Sequence, residues 1–104
     1  MNDDKKKDGL NIELSDTIAE GTYSNLAIIN HSPSEFVVDF IQMMPGIPKA
    51  KVKSRVILTP QHAKRFMKAL SENVRKFESQ HGEIKDIDPT KGIPMNFGGP
   101  TPIA

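Results

Sequence analysis

The side chains best suited to acid–base or metal chemistry near neutral pH are three histidines, His31, His62 and His81. None has a second histidine at metal-ligand spacing. His31 lies in a predicted turn and His62 in the first turn of a predicted helix. His81 lies near the end of that helix, where a partial positive charge is mildly favourable. The serines lack a G-x-S-x-G setting and a histidine partner. No phosphate-binding glycine pattern occurs, since Gly98-Gly99 has no helix after it. Of the paired carboxylates, Asp3/Asp4 sit in a polar lead-in and Asp86/Asp88 at the start of a proline-rich tail. The sequence contains no cysteine, which excludes disulfides, thiol catalysis and thiolate metal sites. The chain is therefore expected not to be an enzyme and to use no cofactor or metal.

Charge is the next candidate for function. Six acids and no base lie between Asp8 and Pro48, whereas nine bases and one acid lie between Lys49 and Phe77. The formal net charge of +1 conceals this division. A basic surface is predicted from Lys51, Lys53 and Arg55, spaced by two on one strand, and from Lys64, Lys68 and Arg75 on one helix. Clustered bases release counterions when they meet a nucleic acid, so nucleic-acid binding is the alternative function. Against it, single-strand binders usually add stacking aromatics. Here Phe36, Phe40, Phe66 and Phe77 read as core, and Tyr23 is the sole tyrosine.

The elements that must position these residues follow from periodicity. Residues 1–9 are polar and are expected to form a disordered lead-in. Residues 88–104 hold Pro89, Pro94, Pro100 and Pro102 with three glycines and are expected to form a flexible tail. Between them, 10–87 is expected to fold as a single domain. Alternation over Leu10, Ile12 and Leu14 predicts a first strand. Residues 22–30, 35–43 and 49–58 predict a second, third and fourth. Short connections make neighbours antiparallel.

The third and fourth strands select one register, with paired residue numbers summing to 94. Phe36 then meets Leu58 and Val38 meets Val56 on an inner face. Val37 meets Ile57, and Asp39 meets Arg55 in a predicted ion pair, on the outer face. A one-residue slip would place Val38 against Arg55. The register of the second strand stays open, because Ile28 and Ile29 are both apolar.

The period then changes. Thr59 suits an N-cap, Pro60 the first helical position and Gly82 a stop. Ala63, Phe66, Met67, Leu70, Val74 and Phe77 form one apolar stripe along about 22 residues. The fold class expected is α+β: a two-layer arrangement with a four-stranded antiparallel sheet and one long C-terminal helix packed across it. One helix covers one sheet face, which leaves Val37, Ile41, Met43 and Ile57 as a candidate interface on the other. A homodimer is the expected partner state, with an unidentified protein partner as a further option. No apolar run suggests a membrane span or a signal peptide, so a cytoplasmic protein is expected.

The strings E-F-V-V-D-F at 35–40 and S-R-V-I-L-T-P-Q-H-A-K at 54–64, with Glu20-Gly21-Thr22-Tyr23 before them and His81-Gly82-Glu83-Ile84 after, carry a resemblance. Over about residues 10–87 the chain resembles a family of small prokaryotic proteins catalogued only as a domain of unknown function. That resemblance implies no activity, cofactor or catalytic residue. Four antiparallel strands followed by a long helix are also similar in topology to the protomer of the export chaperone SecB. This implies a chaperone-like or scaffold role by analogy alone.

Overall fold

The computed structural model describes residues 9–46 and 49–87. The elements run α1 (Asp16–Ala19), β1 (Leu26–His31), β2 (Phe36–Gln42), β3 (Lys51–Leu58) and α2 (Pro60–His81). The three strands form one antiparallel sheet in the order β1-β2-β3. The predicted lead-in, apart from Gly9, and the predicted tail lie outside the described residues.

Of the four expected strands, the first is absent among the described residues. Residues 10–14 pair with nothing in the sheet, and Leu10, Ile12 and Leu14 are exposed. Strict alternation shows that a segment can be a strand but supplies no partner for it. The chain instead turns into α1, which the alternation gave no reason to expect. Its signals are local. The Ser15 hydroxyl accepts the Ile18 N–H at 3.3 Å, Asp16 stands in the first turn, and Gly21 leaves the helix at φ 81°.

The β2–β3 register is the one the alternation selects, with Phe36 opposite Leu58, Val37 opposite Ile57 and Val38 opposite Val56. It then shifts: Phe40 faces Ser54 but Ile41 faces Val52, which leaves Lys53 as the extra residue of a β-bulge. The open β1 register is resolved as Ile28 opposite Asp39 and Ile29 opposite Val38. Leu26, Ile28 and Asn30 are accordingly half-buried, and the residues between them are exposed. The β1–β2 turn is held by Ser32, whose hydroxyl accepts the N–H groups of Ser34 and Glu35 at 3.2 Å.

Helix α2 begins and ends as its sequence dictates. The Thr59 hydroxyl accepts the His62 N–H at 3.2 Å, Pro60 opens the helix, and the Gly82 N–H closes it on the Glu78 carbonyl at 2.9 Å. Thr59→Ala removes that cap and is expected to lower stability by about 1 kcal/mol. Urea unfolding measures the difference, and the far-UV helical signal of the folded variant should not change.

The packing of α2 corrects the two-layer expectation. No residue of α2 is buried, and the helix makes no extensive contact with the sheet. The core is correspondingly small. Among the described residues the buried set is Ile41, 5% exposed, and Asp39, fully buried. Both lie on the face that was expected to be outer. Phe36, Val38 and Phe40, expected to be innermost under the helix, are half-buried, and Val56 is exposed. An amphipathic stripe states that a helix needs cover, but not which surface supplies it.

Candidate functional site

The most organised polar feature lies at the centre of the sheet. Asp39, in the middle of β2, and Arg55 of β3 face one another in register. Arg55 Nε donates to Asp39 Oδ1 at 2.6 Å, and Nη2 donates to Oδ2 at 2.9 Å. This two-pronged geometry is the strong form of the arginine–carboxylate contact. The Asp39 side chain is fully buried, while that of Arg55 remains 55% exposed. The hydrogen bond from Arg55 holds the Asp39 carboxyl below its ordinary range. Burial opposes this, and the arginine's charge assists it. The same bond, with the charge of Asp39, raises Arg55. Burial of Asp39 makes this pair unlike an exposed one: removing Arg55 would strand a carboxylate inside the sheet, whereas Arg55, more than half exposed, would stay solvated without Asp39.

The four candidate interface residues are not equivalent. Ile57 is 57% exposed and available, and Val37 is half-buried. Ile41 is buried within the protomer, which corrects its placement in an open interface. Met43 lies beyond the end of β2. There the Asn25 side chain clamps it, accepting its N–H at 2.8 Å and donating to its carbonyl at 3.0 Å. The larger exposed apolar surface is the α2 stripe, where Phe66, Met67, Leu70, Val74 and Phe77 are 46, 61, 53, 38 and 49% exposed.

The candidate basic surface is divided. The bulge at Lys53 sends Lys51, opposite Gln42, to the face away from Arg55, and it brings Val52 to the Arg55 face. Arg55 is already engaged by Asp39. On α2, Lys64 and Lys68 are exposed, and Arg75 bonds Glu72 at 2.6 Å in a solvated pair worth little. The strand row is thus split, Arg55 and Arg75 are each engaged by a carboxylate, and nothing in the geometry favours the nucleic-acid reading.

His31 stacks on Phe36 with ring centroids 5.3 Å apart, and His81 lies 4.7 Å from Phe77. Among the described residues no group of three histidine or acidic side chains could hold a metal. Two shallow, open depressions share Thr22, Ser24 and Phe40, and one of them continues to Ser54 and Val56. Neither gathers titratable side chains. No helix among the described residues is long and apolar enough to cross a membrane.

Fold and site together define a small α+β protein, with a three-stranded antiparallel sheet carrying one buried ion pair and a long helix whose apolar side lacks cover. The chain belongs to the family described as protein of unknown function (DUF3467), which it matches over residues 1–86. No curated protein and no solved structure matches it. The topological similarity to SecB therefore gains no structural counterpart, and its premise of four strands is not met in a three-stranded sheet.

Proposed function

We propose that this protein is a non-enzymatic protein-interaction or scaffold module that acts as a homo-oligomer. The observation that carries the reading is the α2 stripe, five large apolar side chains each about half exposed on a helix with no buried residue. Monomeric proteins rarely present such a surface without a partner.

Magnitudes indicate how strong the association is. Covering the exposed half of five such side chains on each of two copies contributes roughly 8–15 kcal/mol, from about 1.5–3 kcal/mol per fully buried side chain. Association opposes this with about 4–15 kcal/mol of lost freedom. A net of about 8 kcal/mol, toward the favourable end of these ranges, corresponds to a contact that is dimeric at micromolar protein and dissociates on dilution, and that is the affinity expected of α2.

Light scattering coupled to size exclusion tests this. The protein is expected to elute at twice its 11.5 kDa chain mass at tens of micromolar. Leu70→Asp is expected to weaken the dimer at least about 100-fold, because a carboxylate would have to be desolvated at the contact. Leu70 is 53% exposed in the protomer, so the variant should keep its circular dichroism. A monomeric wild type at these concentrations overturns the reading.

A further inference from the structure

We propose that α2 pairs antiparallel with α2 of a second copy, in the register where facing residue numbers sum to 144. This inference rests on the self-association reading and gives it a geometry. Along α2 the apolar positions Ala63, Met67, Leu70, Val74 and Phe77 recur at spacings of four and three, His81 follows at four, and Phe66 lies beside this row. That spacing is a two-position heptad seam, with Ala63, Leu70 and Phe77 on one row and Met67, Val74 and His81 on the other.

An antiparallel pair sets one row against the other, and the sum of 144 does so at every layer. Leu70 meets Val74′, Met67 meets Phe77′, and Ala63 meets His81′, where the prime marks the second copy. The smallest residue thus faces a larger one, so the layers differ less in volume than they would if each residue met its own copy. The two-fold axis passes by Glu72, between the Leu70 and Val74 layers, and the contact is self-complementary as a symmetric dimer requires.

Charge fixes the direction. Lys64 and Glu78 each follow a residue of the first row, so both flank the seam on the same side. In the antiparallel register they lie two residues, or about 3 Å, apart along the axis. Symmetry makes the Lys64–Glu78′ pair twice. In a parallel pair the same two side chains are offset by 14 residues, or roughly 21 Å, and cannot meet. That arrangement also sets Ala63 on Ala63′ and Phe77 on Phe77′. Glu78 is half-buried, and its Oε2 takes the Ile84 N–H at 3.0 Å. Antiparallel packing further places each helix's positive N-terminal end beside the partner's negative C-terminal end.

The absence of native cysteine allows a direct test. Met67→Cys and Phe77→Cys are made separately in full-length chains, one carrying a mass tag, and oxidised with copper phenanthroline alone and mixed. The expected result is a tagged–untagged disulfide in the mixture and little cross-linking of either variant alone. Cross-linking of each variant with itself would mean a parallel seam and overturn the proposal. No disulfide in any sample, while light scattering still shows dimers, would place the contact on another surface; that overturns the seam and leaves self-association standing. A monomeric wild type would remove both. As a second readout, Lys64→Glu and Glu78→Lys are each expected to weaken the dimer about tenfold, and the double reversal to restore most of the affinity. Failure of the double variant to recover would also overturn the proposed register.

Discussion

Ile41→Ala is expected to remove about 2–5 kcal/mol of folding stability, a large share of the total available to a chain this small. Ile41 lies in the central strand, faces Leu26 on one side and Val52 on the other, and is the one buried apolar residue among those described. Its truncation forfeits the transfer energy of three carbons and leaves a cavity that a three-stranded sheet has little material to fill. Ile57, on the same face but 57% exposed, supplies the control. Ile57→Ala should cost less than about 1 kcal/mol in the folded protomer. Urea unfolding of all three proteins at one fixed protomer concentration measures the difference, since association shifts apparent stability. If Ile41→Ala and Ile57→Ala prove equally mild, Ile41 does not close the sheet.

Arg55→Leu is expected to be more harmful than its exposed position suggests, and to invert part of the pH dependence. In the native protein the folded-state pKa of Asp39 is lowered. The carboxylate therefore contributes stability that is present above its unfolded pKa, near 3.8, and is lost as pH falls through the folded value. Arg55 stays charged throughout that window and adds no slope of its own. Without Arg55 the hydrogen bond and the attraction vanish, and burial alone acts on Asp39, raising its pKa. That carboxyl then becomes stabilising when protonated, so acid should relatively favour the variant, whereas below the unfolded pKa near 3.8 it weakens the native protein. The double variant Asp39→Leu/Arg55→Leu should recover most of the loss at neutral pH, because it leaves no stranded charge. Unfolding midpoints between about pH 2 and pH 8, a range that includes the loss below the unfolded pKa near 3.8, decide the matter. Parallel pH profiles for native and Arg55→Leu proteins would show that the pair is ornamental.

The strength of the Asp39–Arg55 contact was only half legible in the sequence. Alternation on both strands puts the two residues opposite one another, because any slip sends a charge against Val38. It does not say that Asp39 is buried, since Val37, Ile41 and Ile57 around it are equally compatible with an open face. The bulge was less legible still. From Lys49 to Leu58 the alternation breaks at Ser54 and Ile57, and neither break by itself predicts the register shift that falls between Phe40 and Ile41. The basic row read from that alternation is split for this reason. Helix α1 did carry a readable signal, a Ser15 cap followed by Asp16 and a glycine stop, which the apolar alternation before it obscured.

Near-neighbour physics was settled along the chain: the β2–β3 pairing, the Thr59 cap, the run of α2 from Pro60 to His81 and its stop at Gly82 each depend on residues close in sequence or on a two-strand pattern. Which surfaces are covered depends on elements far apart, and only the folded arrangement shows it. Leu10, Ile12 and Leu14 form no strand, α2 leaves the sheet, and the small core gathers around Ile41 and Asp39. The reason is that apolar burial has no direction of its own. A greasy stripe lowers its free energy against any matching surface, and the sheet of this protein does not supply one to α2.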